Sequence, residues 1–216
     1  MQLRVATLAA AALLTCGCGG SDDGDESAAG TTASGCSAVE RPEPRDPGTH
    51  EPPDSALDPN ERTRALVTTN CGAFAITLDP EAAPNAVASF AELATHGYFD
   101  DTIFHRIVPG FVIQGGDPTA SGTGGPGYTT VDPPAAETSY TRGVVAMAKA
   151  GNEPRGAAGS QFFVVTGDDI GLPPDYAVIG TVTDGLDVVE RIGALGDSQE
   201  LPTETVLIER IEIERG

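Results

Sequence analysis

The chain has 216 residues, enough for one domain of about 150 residues with appendages, and its 27 glycines and 17 prolines imply many turns and little helix. Thirty-two acidic residues against twelve basic ones give a formal net charge of −20, and Lys149 is the single lysine. Phosphate backbones and anionic lipid headgroups are repelled by such a surface, which excludes nucleic acid as a partner class and leaves solubility as the plain role of the charge.

Residues 1–18 carry Arg4, the apolar run Val5 to Leu14, and then small residues and cysteine, the layout of a secretory signal. The run is too short to span a bilayer comfortably. Leu13-Leu14-Thr15-Cys16-Gly17-Cys18 resembles a bacterial lipobox, in which the cysteine after the cut is acylated and becomes the new N-terminus. Cysteine parity favours Cys18 as the lipidation site: Cys16 then leaves with the signal, and Cys36 and Cys71 remain as an even pair, expected to form a disulfide outside the cytoplasm. With Cys16 as the anchor one cysteine would be left over. The expected protein is therefore extracytoplasmic and lipid-anchored to a bacterial cell membrane, with plain secretion as the alternative left by a single basic residue.

Residues 19–60 hold Gly, Ser, Thr, Asp, Glu and Pro with almost no large apolar side chains, and six prolines fall between Pro42 and Pro59. Such a segment buries too little surface to offset its ordering entropy and is expected to be a disordered linker. The folded domain is expected over 61–216.

Within it, Ala65 to Asn70 and Phe74 to Leu78 flank Asn70-Cys71-Gly72, which predicts a hairpin. Pro84 suits a first helical turn, and Val87, Phe90, Ala91 and Ala94 recur at helical spacing before Gly97, an amphipathic helix. Short apolar runs follow at Ile103 to Val108, Phe111 to Gln114, Gly143 to Ala148, Gln161 to Thr166 and Tyr176 to Val182. A second helical stretch, Leu186 to Leu195, precedes an alternating run through Val206, Ile208, Ile211 and Ile213. The pattern is mainly β and predicts a closed β-barrel of about eight strands with two capping α-helices, in preference to a βαβ sheet. One self-contained barrel on a tether points to a monomer.

Several motifs carry no chemistry. Gly122 to Gly127 satisfies G-x-G-x-x-G, but Pro126 and the stretch Tyr128 to Pro134 follow where a dinucleotide fingerprint needs a helix N-terminus, so it reads as a surface loop. His50, His96 and His105 lie far apart without ligand spacing, and no metal or other cofactor is called for. Ser160 lacks the glycine pattern of a nucleophile elbow, and no histidine follows it.

The informative stretch is Phe104-His105-Arg106-Ile107-Val108-Pro109-Gly110-Phe111-Val112-Ile113-Gln114-Gly115-Gly116-Asp117. An arginine among Phe, Ile and Val must keep its donors supplied, so it should face a groove or a partner; alone it reads equally as a structural ion pair. The stretch resembles the FHR-x-x-x-GF-x-x-QGGD signature of the cyclophilins. Further matches, in the family's order, are Met147 to Gly151, Gly159 to Phe163 and Tyr176 to Gly180, and the resemblance covers about Arg64 to Gly216.

The resemblance implies a peptidyl-prolyl cis/trans isomerase that acts on proline-containing segments of exported proteins and assists their folding. By position it implies that Arg106 is the key catalytic residue, with Gln114 and Gln161 holding the substrate backbone. Phe111, Val112, Phe163 and Leu172 match the proline pocket, and Ala148, Lys149 and Ala150 match the strand that pairs with the peptide. Phe104, His105, Gly115, Gly116 and Phe162 read as scaffold. Lys149 stands where many members have Asn, Ile170-Gly171 stands where many have Trp before the matched leucine, and Tyr176 stands where many have His. The second departure puts tight cyclosporin binding in doubt, and the third alters the pocket rim. A barrel that only docked proline segments as an envelope adaptor would not need an arginine aimed at the transition state.

Overall fold

The computed structural model describes residues 31–216, and the signal, Cys16, Cys18 and residues 19–30 lie outside them. Strands β1 (Thr63–Thr69) and β2 (Gly72–Leu78) form the predicted hairpin, with Thr69 facing Gly72 across a two-residue turn. Gly72 takes φ +117°, which a side chain would resist. Helix α1 (Pro84–Thr95) follows, with Val87, Phe90, Ala91 and Ala94 buried as their spacing predicts. Its first turn is held from a distance: Asp132 accepts from the Ala86 N–H and the Asn85 amide, each at 2.7 Å.

The run Ile103 to Val108 is broken at Phe104 and His105 into β3 (Thr102–Ile103) and β4 (Arg106–Val108). The chain then forms β5 (Val112–Gly115), β6 (Thr130–Val131), β7 (Val144–Met147), β8 (Ala157–Ala158) and β9 (Phe162–Val165). It ends with β10 (Val178–Asp184), α2 (Leu186–Gly193) and β11 (Leu207–Arg215).

Nine strands make one sheet in the order β3-β11-β1-β2-β10-β7-β9-β5-β4, and β6 pairs separately with β8. The fold is mainly β as expected, but the barrel is not closed: β3 and β4 are the two edges and do not pair. Each pairs on one side only, β3 with β11 and β4 with β5, and the backbone demand at this seam is met elsewhere. Phe104 N–H donates to the carbonyl of Val206, and Ile107 N–H donates to that of Glu200, each at 3.0 Å.

The concave side of the sheet and the two helices enclose a core in which Phe90, Phe99, Phe104 and Phe162 meet edge-on or tilted at 5.1–5.9 Å. Ile107, Ile113, Val164 and Val145 point into it from four adjacent strands.

Residues 31–60 are the described part of the expected linker. They are irregular, but they lie against the domain instead of extending from it. Cys36 is bonded to Cys71, and Asn70 donates its amide to the Ser37 carbonyl at 2.8 Å. Further along, Arg45 donates to the carbonyls of Tyr98 and Asp100, Arg45 N–H reaches Pro118 O at 3.0 Å, and His50 N–H reaches Pro126 O at 3.0 Å. The attachments are backbone and polar contacts, which a composition lacking large apolar residues does not reveal. The prolines lower the entropy lost on laying the strap down.

Closing the 35-residue separation between the cysteines restricts the unfolded chain, so replacing both with serine is expected to lower unfolding free energy by roughly 2–4 kcal/mol. Urea unfolding with and without reductant measures it: reductant should lower the wild-type midpoint and leave that of the variant unchanged.

Candidate active site

The face of the sheet opposite the core carries a second set of side chains. Residues directly opposite one another in neighbouring strands share a face. One such row runs Arg106, Gln114, Phe163, Ala146, Val178 across β4, β5, β9, β7 and β10. The next row on that face is Val108, Val112, Val165. Its polar end is therefore arginine and glutamine, and its apolar end is phenylalanine and valine. Because both faces of these short strands are covered, they read as continuous apolar runs instead of an alternation.

At the apolar end Val112, Tyr140, Ala146, Phe163 and Val165 are buried, and Phe111, Ala148, Ile170, Leu172 and Tyr176 pack partly buried around them. Phe111 is delivered by the Pro109-Gly110 turn, in which Gly110 takes φ +70° and Phe111 N–H donates to Val108 O at 3.0 Å. Tyr140 braces the rim: its hydroxyl donates to the Tyr176 carbonyl at 2.8 Å and accepts from the Tyr176 N–H at 2.9 Å. The rings of Tyr140, Phe163 and Tyr176 lie 5.4–6.3 Å apart.

The polar end is a relay of hydrogen bonds. Arg106 donates through Nε to Glu200 Oε2 at 2.7 Å and through Nη1 to Gln114 Oε1 at 3.4 Å. Gln114 donates to Gln161 Oε1 at 3.0 Å, and Gln161 donates to the Gly124 carbonyl at 3.1 Å. The guanidinium carbon sits 6.0 Å from the centre of the Phe111 ring, and the Arg106 side chain is about one-third exposed, at 34%. The cation thus stands beside an apolar cluster while remaining open to solvent.

Beside it lies a groove of about 500 Å³ lined by Gln114, Gly122 to Thr129, Ala148 to Ala150, Glu153 and Gly159 to Gln161. The glycine-rich segment is a loop, as its sequence predicts, and it forms one wall of this groove. Asp117 holds the loop, accepting from the N–H groups of Thr119, Ser121, Gly122 and Gly124 at 2.7–3.1 Å. Burial opposes its ionisation, but those bonds and the Thr119 hydroxyl prevail and keep the carboxyl below its usual range. Across the groove, Lys149 Nζ lies 5.6 Å from the centre of the Tyr176 ring and donates to the Glu153 carbonyl at 3.3 Å.

Residues 64–213 match the family of cyclophilin type peptidyl-prolyl cis-trans isomerases. The chain belongs to that family. Peptidyl-prolyl cis-trans isomerase B of Bacillus subtilis is 43% identical over 116 residues, which cover 53% of this chain and 79% of that protein. Isomerase B of Streptomyces anulatus is 37% identical over 174 residues, 71% of this chain and 98% of its relative. An isomerase of Arabidopsis thaliana is 38% identical over 149 residues, of which this chain spans only 29% of the full length. The crystal structure of a Cryptosporidium parvum cyclophilin type isomerase, obtained in the presence of the dipeptide Ala-Pro, superposes with a TM-score of 0.65 at 33% identity, covering 70% of this chain and 98% of that one.

Seen as a cyclophilin, this chain brings the residues named in its sequence for catalysis and peptide binding to one side of the sheet. Arg106, Gln114 and Gln161 form the relay; Phe111, Val112, Phe163, Leu172 and Tyr176 belong to the apolar cluster; Ala148, Lys149 and Ala150 border the groove. Two participants escape sequence reasoning. Tyr140 sits in an irregular segment without periodicity, and Glu200 lies in a loop 94 residues from the arginine that it touches.

His105 belongs to the scaffold. Both ring nitrogens are buried without a hydrogen-bond partner, and burial depresses its pKa; Asp117 opposes this, while Arg106 and Arg41 reinforce it. With the folded-state pKa below the unfolded value of about 6.5, the unfolded chain takes up the proton first as pH falls. The native advantage is complete above about pH 6.5 and shrinks below it. Replacement of His105 by Gln should therefore flatten the fall in urea midpoint between pH 7 and pH 5; equally steep falls in both proteins would show that His105 does not titrate in this way.

Proposed function

We propose that this isomerase acts on X-Pro bonds of exported proteins, tethered outside the cytoplasm by an acylated Cys18, and that Arg106 lowers the barrier by donating a hydrogen bond to the prolyl nitrogen. Rotation about an X-Pro bond must break amide resonance, a barrier of about 18 to 20 kcal/mol. In the twisted state the nitrogen becomes pyramidal and regains a lone pair. A donor that meets this lone pair has no partner in the planar ground state, so it accelerates rotation without tightening substrate binding.

The observation that carries the reading is the guanidinium carbon 6.0 Å from the centre of the Phe111 ring, beside the apolar cluster that Phe111 forms with Val112, Phe163 and Leu172. In this reading a proline ring packs on that apolar surface, with its nitrogen at the side from which Arg106 reaches. The presence of Ala-Pro with the Cryptosporidium relative supports a proline-containing ligand. An acceleration of about 10⁵ requires roughly 7 kcal/mol, whereas one charge-assisted hydrogen bond contributes about 1.5 to 3 kcal/mol. The remainder falls to the apolar grip on the ring and to Gln114 orienting the backbone.

A bond between Cys36 and Cys71 suits an oxidising compartment and so supports export, as does the signal-like start of the chain. A single domain of this kind acts as a monomer, with no cofactor. Replacing Arg106 by Ala is expected to lower kcat/KM in a protease-coupled assay by about 10- to 150-fold, the worth of one charge-assisted bond, with peptide affinity within about twofold. Equal rates for both proteins, with binding retained, would identify a docking module instead. For the anchor, the intact mass of membrane-extracted protein should show an acylated N-terminal Cys18, and Cys18→Ser should move the protein to the soluble fraction; an unmodified N-terminus refutes the tether.

A further inference from the structure

The loop from Leu195 to Thr203 closes the seam between the sheet's edges, and it is built with more constraint than closing a seam requires. Asp197 accepts from the N–H groups of Gln199 and Leu201 at 2.8 and 2.9 Å, its own N–H donates to Leu201 O at 2.9 Å, and Thr203 N–H donates to Leu195 O at 2.7 Å. Gly196 presses on β4, where an added Cβ would lie 2.2 Å from the Ile107 carbonyl oxygen. These contacts fix the loop against the strand that carries Arg106.

At its tip Glu200 adopts φ +65°, a left-handed conformation that suits glycine and that a side chain adopts only at a cost. Its backbone carbonyl accepts from Ile107 N–H at 3.0 Å, and its carboxylate accepts from Arg106 Nε at 2.7 Å. Among the described residues it is the one ion-pair partner of Arg106. Strain held at a residue whose side chain grips a functional group points to use of that side chain.

Building on the reading that Arg106 acts on the prolyl bond, we infer that Glu200 is a positioning residue of the isomerase: it anchors the Nε edge of the guanidinium and so holds the Nη groups beside the apolar cluster around Phe111. The geometry divides the arginine's donors. Nε goes to Glu200 and Nη1 to Gln114, and no described hydrogen bond takes Nη2. A planar fork held at two points cannot swing away from the slot; held by Gln114 alone, at 3.4 Å, it can. The benefit lies in acceptance of the Nε–H bond rather than in negative charge, since a half-exposed carboxylate is screened and would, if anything, draw the cation from the reaction.

Two substitutions in the full-length protein test this. Glu200→Gly removes the anchor and relieves the strained backbone, so its melting temperature should equal or exceed that of the wild type while kcat/KM falls about three- to tenfold, the scale of one orienting hydrogen bond, with peptide affinity unchanged. Glu200→Gln keeps an acceptor and should restore at least half the activity. In ¹⁵N spectra the Arg106 Nε–H resonance, assigned by its loss in Arg106→Ala, should be sharp in wild type and Glu200→Gln and broadened in Glu200→Gly. Unchanged activity and an unchanged resonance in Glu200→Gly would overturn the positioning role, as would Glu200→Gln falling to the level of Glu200→Gly. Should Arg106→Ala prove as active as wild type, the catalytic reading itself fails, and the resonance alone then reports whether the anchor exists.

Discussion

A guanidinium beside a wall of phenylalanine and valine is the constraint around which the rest is arranged. Arginine cannot lose its charge, and every donor left without a partner in apolar surroundings carries a desolvation cost. The protein meets that demand on one side only. Glu200 and Gln114 satisfy two edges of the fork, the Phe111 ring lies beside it, and one-third of the side chain stays exposed. A cation so placed is costly enough to need support and open enough to be reached by a peptide.

The architecture follows from making both faces of one short-stranded sheet useful. Ile107, Ile113 and Val164 point to the core, and their neighbours Arg106, Gln114 and Phe163 point away from it in a single cross-strand row. Shifting β5 by one residue against its neighbours would put Gln114 in the core and Ile113 in the site, so the main core itself enforces the register of the functional row. Gly116 marks how tight this region is: at φ +84° an added Cβ would sit 2.5 Å from the Ser160 carbonyl oxygen, next to the loop that Asp117 holds over the groove.

Much of this was legible in the chain because the signals are local. Helical spacing marks Val87 to Ala94, a turn dipeptide marks Pro109-Gly110, and the stretch from Phe104 to Asp117 holds two strands, their turn and four functional side chains together. What escaped depends on long-range satisfaction of polar groups. Glu200 and Tyr140 act through partners 94 and 36 residues away. The open seam follows from the chain's choice of the Leu195–Thr203 loop over a ladder between β3 and β4, and the strap over 31–60 is held by backbone carbonyls beside the Cys36–Cys71 bond, the one attachment that cysteine parity marks. None of these leaves a trace in hydrophobic periodicity.

The central claim is that the arginine's geometry, and not merely a positive charge near the slot, speeds bond rotation. Exchange spectroscopy on a proline-containing peptide saturating the enzyme reads the cis–trans rate in the bound state separately from affinity. With Arg106 replaced by Lys, which keeps the charge but loses the planar fork, the account predicts an on-enzyme rate lower by about tenfold or more at unchanged peptide affinity, the scale of one lost charge-assisted bond. An undiminished rate in the lysine variant would contradict it.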